Sequence, residues 1–182
     1  DEQALVFTGA MDYWPNIDAV TWFAQEVMPL LRRDWPQARF HIVGRNPAPA
    51  VRALAGPDVM VSGTVPDVRP YLQHAAVVVA PLRLARGIQN KVLEAMAMAR
   101  PVVASVNCAE PIDATPGRHL LTAGTAAEFA ARVDELLRDS RLADGIGAAG
   151  RQCVLDGYSW AAQLAPLDRL FDMATRRQAQ AA

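Results

Sequence analysis

The run Pro81-Leu82-Arg83-Leu84-Ala85-Arg86-Gly87-Ile88-Gln89-Asn90-Lys91-Val92-Leu93-Glu94-Ala95-Met96-Ala97-Met98-Ala99-Arg100-Pro101 decides how this chain is read. The apolar stretch Ala76 to Ala80 before it reads as a buried strand, and Pro101-Val102-Val103-Ala104-Ser105 after it reads as the next. A loop and then a helix therefore join two strands. The loop is basic through Arg83, Arg86 and Lys91, and it opens a helix whose N-terminal amides and positive dipole end favour a phosphate. Glu94 follows Lys91 by one turn on the same helix face. A cation for phosphate and a carboxylate able to accept two hydroxyl protons, held a turn apart, suit a ribose diphosphate. The same spacing is also that of a plain surface ion pair, because Glu in a first turn is favoured by the dipole whatever binds there.

Toward the N-terminus the same alternation repeats. Ala4 to Thr8 reads as a short buried strand that Gly9 ends, where a ligand can approach the backbone closely. Asn16 is placed to cap a helix with a core stripe of Ile17, Val20, Ala24, Val27 and Leu31, bent at Pro29 and ended by Asp34-Trp35-Pro36. Trp14 and Trp22 are assigned to core or domain-contact packing rather than to a sugar platform. Arg39 to Val43 is the second strand, closed by Gly44-Arg45-Asn46-Pro47, and a short helix from Ala48 to Leu54 leads to the strand Val59 to Ser62. Asp67 is placed to cap the helix carrying Val68, Tyr71, Leu72 and Ala75, which returns the chain to the strand before Pro81.

Beyond Ser105, Val106 to Gly117 reads as a loop and Arg118 to Thr122 as a sixth strand. Thr125 and Glu128 form a capping box ahead of Phe129, Val133, Leu136 and Leu137. Asp134 to Asp144 reads as a polar helical stretch. Gly145-Ile146-Gly147-Ala148-Ala149-Gly150 fits the dinucleotide fingerprint by letter, but a helix rather than a strand precedes it, so close helix packing through small residues is the better reading. A last helix is expected from Ser159, with Leu164, Leu167 and Phe171 on one side. Strand and helix alternate, so the fold class is α/β. The expected form is a Rossmann-like, doubly wound parallel sheet of about six strands, covered on both faces, with the ligand where the order reverses, between strands one and four.

Composition narrows the function. The chain has 182 residues, 52% hydrophobic and 20% charged, with a formal net charge of −1, enough for one domain with a real core and without the basic excess of a nucleic-acid binder. No apolar run approaches the roughly 20 residues of a membrane span and no signal peptide precedes the first strand, so a cytoplasmic protein is expected. Cys108 and Cys153 read as ordinary reduced thiols, His41, His74 and His119 as structural residues, and no metal site is apparent.

The run from Gly87 to Ala97, followed by Arg100-Pro101-Val102-Val103-Ala104-Ser105, resembles the donor-site signature of retaining GT-B glycosyltransferases, and most closely the sugar transferases found with exopolysaccharide gene clusters. The likeness extends from about Leu5 to Phe171 and covers the family's C-terminal half. It implies that Glu94 holds the ribose hydroxyls of a nucleotide sugar and that backbone amides at Gly87, Ile88 and Gln89 meet the diphosphate, with Asn90 next to them among the donor-binding residues. It also places Gly9 and Asn16 at the first strand-to-helix loop, Arg45 near the nucleotide base, and the backbone of Val65 against that base. Plain solvent exposure is the alternative for Arg45.

Three departures stand out, one of them Ile88-Gln89 where the family commonly has Phe-Gly. Arg86 occupies the place of the family's first glutamate, which reads hydroxyls on the transferred sugar. Ala10 and Asn16 occupy the places of two phosphate-binding cations, so Lys91 and Arg86 are read as the compensating charges, which makes Arg86, Lys91 and Glu94 the catalytic candidates. The implied protein is a glycosyltransferase of hexosyltransferase type with a nucleotide-diphosphate sugar as donor and a glycan or lipid-linked acceptor. No cofactor is expected, and the reaction is expected to be metal-independent. Residues 1–182 are expected to be a single donor-binding domain, with the N-terminal acceptor domain, and any membrane association, outside this chain. The domain alone is then expected to bind nucleotide without turnover. An epimerase of the same architecture and a non-catalytic binding module are the competing readings.

Overall fold

The computed structural model describes residues 3–164. Six parallel strands run β1 (Gln3–Thr8), β2 (Ala38–Val43), β3 (Val59–Gly63), β4 (Val77–Ala80), β5 (Val102–Ser105) and β6 (Leu121–Ala123), in the spatial order β3-β2-β1-β4-β5-β6. The two central strands explain the order. Leu5, Val6 and Phe7 of β1 and all four residues of β4 are buried, as a strand covered by helices on both faces requires. The edge strands β3 and β6 are less buried or shorter.

The helices are α1 (Trp14–Trp22), α2 (Met28–Leu31), α3 (Pro49–Arg52), α4 (Arg69–Gln73), α5 (Asn90–Ala97), α6 (Val106–Ala109), α7 (Ala126–Arg138) and α8 (Ser140–Gly157). Between α1 and α2 the backbone widens into a π turn, Phe23–Val27, with the Met28 amide donating to the Phe23 carbonyl. The wide turn fits what Pro29 imposes, since proline lacks the amide an α-helix would need there and its ring crowds the preceding turn. Phe23 packs on Phe40 and Phe129, with ring centroids 4.7 Å and 6.2 Å away, and joins the π turn, β2 and α7 in one core. The capping box of α7 is present, with the Glu128 amide donating to Thr125 Oγ1 and Glu128 Oε2 accepting from the Thr125 amide.

Several expectations change. Asn16 does not cap α1; Tyr13 stands at that position, Pro15 fills the first turn, and Asn16 is buried inside the helix. Trp14 is 58% exposed, whereas Trp22 packs edge-on against Phe129 at 5.6 Å. Val68 is the formal cap of α4, although Asp67 still accepts from the Arg69 amide. The stretch Val106 to Gly117 contains the short helix α6, and β6 starts three residues later than Arg118 because Arg118 and His119 turn back onto Thr115. The polar run Asp134 to Asp144 is not one helix: Asp139 breaks it and caps α8, its carboxylate accepting from the Arg141 and Leu142 amides. Ser159 Oγ accepts from the Ala162 amide, which agrees with its capping role, while Leu167 and Phe171 lie outside the described residues.

The segment Gly145 to Gly150 lies within α8 and serves packing. A Cβ on Gly147 would stand 2.2 Å from the Ala99 carbonyl oxygen, just past the end of α5. Gly147→Ala is therefore expected to cost about 2 kcal/mol or more, read as a lower denaturation midpoint at unchanged slope, because backbone rather than a flexible side chain must give way.

Candidate functional site

The strand order reverses between β1 and β4, so the loops that leave their carboxyl ends part and open a crevice. A cavity of about 630 Å³ lies there. One wall comes from the end of β1 with Thr8, Gly9 and Ala10, and from Asn16 of α1. The loops after β2 and β3 supply Gly44, Arg45, Thr64 and Val65, and the first turns of α5 supply Asn90, Lys91 and Glu94. Residues far apart in sequence thus meet at one edge of the sheet.

The loops after β1 and β2 touch backbone to backbone. The Gly9 amide donates to the Val43 carbonyl at 3.0 Å and the Met11 amide to the Arg45 carbonyl at 2.8 Å. Gly44 makes this possible, since a Cβ there would stand 1.7 Å from the Gly9 carbonyl oxygen. Gly9 in turn leaves room for two side chains, a Cβ on it being 2.8 Å from Asn16 Nδ2 and 3.3 Å from Lys91 Nζ.

Lys91 lies at the centre of the arrangement. Its ammonium donates to Asn16 Oδ1 at 2.5 Å and stands 4.4 Å from the centroid of the Phe7 ring, a cation–π contact with a buried residue of β1. Burial lowers its pKa from 10.5 to about 8, with Cys108 and Glu94 acting in the opposite direction. The ion pair with Glu94 that the spacing allows is thus not how Lys91 is held; the ammonium turns to α1. Burial likewise raises the Glu94 carboxyl above its ordinary value, with Lys91 opposing. The N-terminus of α5 has no side-chain cap, and Gln89, its capping residue, points its amide nitrogen back to the Arg86 and Gly87 carbonyls.

Not every predicted site residue reaches the cavity. Gly9, Asn16, Arg45, Val65, Asn90, Lys91 and Glu94 line it. Arg86, Gly87, Ile88 and Gln89 do not; they form the turn that enters α5, with Arg86, Gly87 and Ile88 exposed and Gly87 at φ +64°. Arg83, the first cation of the basic loop, is engaged by the Asp18 carboxylate of α1 and lies beside the Trp22 ring. The rest of that loop is fixed from β5 onward, with Ser105 Oγ donating to the Leu82 carbonyl and Asn107 Nδ2 to the Arg83 carbonyl. Sequence reasoning missed Thr8, whose buried hydroxyl lacks a partner, and Gly44 and Thr64. The signal for Gly44 was present: both of the first two strands run directly into a glycine. Among the described residues no helix is long and apolar enough to cross a membrane, and no group of three His, Cys, Asp or Glu is placed to hold a metal.

A family model, glycosyl transferases group 1, matches residues 2–139. The chain belongs to that family. Among solved structures, this group 1 domain is similar to TarM from S. aureus in complex with UDP, at 20% identity and a TM-score of 0.76 over 93% of this chain and 35% of that one. It is similar to the C-terminal domain of a group 1 protein, LpcC, from Francisella tularensis, at 18% identity and a TM-score of 0.70 over 87% of each chain. It is also similar to HepE from Anabaena in complex with UDP and glucose, at 13% identity and a TM-score of 0.75 over 94% of this chain and 48% of that one. At these identities the likeness is one of fold. The six-stranded sheet matches the C-terminal half of GT-B glycosyltransferases, and the chain spans about a third of TarM and about half of HepE. Comparison with curated protein sequences gives no match.

Proposed function

We propose that this group 1 domain is the donor-binding half of a retaining glycosyltransferase, of hexosyltransferase type, that takes a nucleotide-diphosphate sugar. The observation that carries the reading is the cavity at the strand-order reversal, which joins Lys91 and Glu94 of α5 to Gly9 and Asn16 beside β1 and to Arg45 and Val65 on the neighbouring loops. In this reading Glu94 accepts the ribose hydroxyls. Lys91 and the amide end of α5 at Asn90 hold the diphosphate, and Val65 and Arg45 flank the base. The solved neighbours described with UDP or with UDP and glucose support a uridine donor.

The chemistry follows from the charges. Transfer from a preactivated donor requires the leaving diphosphate to be stabilised as its bond to the sugar breaks, and a fixed ammonium with oriented amides does so without reorganising. The acceptor hydroxyl must be held by a second domain outside this chain, so the domain alone binds without turnover. The acceptor is a glycan or a lipid-linked sugar, the role is in exopolysaccharide synthesis on the cytoplasmic side, and no metal is required. Arg86, exposed on the turn that enters α5 and outside the cavity, is kept as a second, outlying charge for the diphosphate.

Calorimetric titration with UDP, GDP and ADP tests the proposal. One of the three is expected to bind saturably, and Glu94→Ala to weaken it by about two orders of magnitude, the loss of two hydrogen bonds to a charged acceptor. Binding that is indifferent to Glu94 would move the ribose elsewhere.

A further inference from the structure

Lys91 is the only lysine in the chain; the other 17 of its 18 basic residues, by subtraction, are arginines. A lysine kept at one site where arginine serves everywhere else points to a need for a compact cation that can lose its proton. The surroundings of Nζ match that need. It sits against the Phe7 ring and close to Gly9, and Asn16 is only 4% exposed.

The Asn16 amide has one orientation that satisfies both neighbours. Its Nδ2 donates to the Ala10 carbonyl at 2.9 Å, and a carbonyl can only accept. Oδ1 is thereby turned to Lys91, whose ammonium can only donate. A fixed backbone carbonyl therefore aims Asn16, and Asn16 aims Lys91. The groups that bear on the ammonium charge are Glu94 on α5 and the Cys108 thiol on α6, the latter kept protonated by burial, while Arg45 is the other cation lining the cavity. Phe7 on β1 and Asn16 on α1 do not titrate.

We propose that Asn16 is a positioning residue for the Lys91 ammonium, and that the pair makes diphosphate capture at this cavity a proton-linked event, strong while Lys91 is charged and lost as it becomes neutral. The linkage rests on the donor-site reading; the pairing does not. The terminal phosphate of a nucleoside diphosphate ionises below the range in which Lys91 titrates, and the uracil ring, which starts to lose its N3 proton at about pH 9, is controlled for by uridine, so the loss peculiar to UDP reports the lysine.

With a single lysine, ¹³C-lysine labelling gives one side-chain ε signal, which can be followed against pH in the wild type, Asn16→Asp and Asn16→Leu. The wild-type midpoint is expected at about 8. Asn16→Leu removes the acceptor that favours the charged form and should move the midpoint down; Asn16→Asp adds a carboxylate and should move it up. One common midpoint in all three overturns the pairing. Should Asn16→Leu not fold, the nearly isosteric Asn16→Asp carries the comparison with the wild type.

UDP and uridine are then titrated between about pH 7 and 9, a range over which a site that needs the charged lysine loses about tenfold in UDP affinity beyond whatever uridine loses as its base starts to ionise. In Asn16→Asp the fall should move to higher pH, a displacement that a merely structural defect would not produce. UDP binding that is flat with pH overturns the linkage and leaves the donor reading intact. Absence of UDP binding at every pH overturns the donor reading and the linkage with it, while the lysine titration still decides the pairing.

Discussion

Lys91→Met is expected to abolish diphosphate binding and to remove a pH dependence from the protein's stability. Unfolded lysine holds its proton up to its ordinary value of 10.5, whereas folded Lys91 loses it at about 8. Between those two values the unfolded chain binds the extra proton, so raising the pH stabilises the fold, by at most about 1.4 kcal/mol per pH unit and on the order of 3 kcal/mol across the window. Below pH 8 the full penalty of burying the charge is present. Cys108 acts in the opposite direction: burial raises its thiol above 9.0, so the unfolded form ionises first and this contribution declines above that pH. The difference between the wild-type and Lys91→Met denaturation curves removes most of the thiol's contribution below pH 9, where the thiol is protonated in both proteins, and reports the lysine there. That difference should grow steadily toward lower pH and level off below 8. A difference that does not change with pH would mean Lys91 is not held as a buried cation. Methionine fits the same space against Phe7, but it leaves Asn16 Oδ1 without its donor, which offsets part of the gain at neutral pH.

Gly44→Ala is the second large effect. The added methyl would stand 1.7 Å from the Gly9 carbonyl oxygen and 2.8 Å from its carbon, and both belong to backbone pinned by the Gly9 to Val43 hydrogen bond. Neither loop can yield without breaking that contact. A loss of at least about 3 kcal/mol is expected in chemical denaturation, together with weaker nucleotide binding, because the loops carrying Gly9 and Arg45 must separate. A variant as stable as the wild type, with unaltered affinity, would show that the two loops do not meet as described.

Much of this was legible in the chain. The buried runs around Val6, Val78 and Val103, the first two each followed by a helical segment, point to a parallel sheet, because a strand buried on both faces has to be covered by the helices that connect it. The helix carrying Lys91 and Glu94 was readable for the same reason, and the capping box at Thr125 from local chemistry alone. Gly145 to Gly150 was assigned correctly to packing because the fingerprint depends on a preceding strand, and α8 has none. The misreadings are local ones. A side chain such as Asn16 suits a cap and a buried partner equally well in sequence, and Asp139 or the short α6 gains its role from small differences in backbone direction that leave no periodic trace.

What the sequence determined by itself, then, is the α/β alternation, the central strands, and the presence of a cation and a carboxylate one turn apart at the head of α5, since these depend on local periodicity and spacing. What only the tertiary structure decided is which partner each group meets. Lys91 passes Glu94, its neighbour in the helix, for Asn16, 75 residues earlier in the chain. Arg83 is engaged by Asp18, and Arg86 is left outside the cavity. The physical reason is that the strand order sets β1 beside β4 and so places α1 across from α5, and the energy of a buried charge is fixed by whatever group the fold brings within a few ångströms of it.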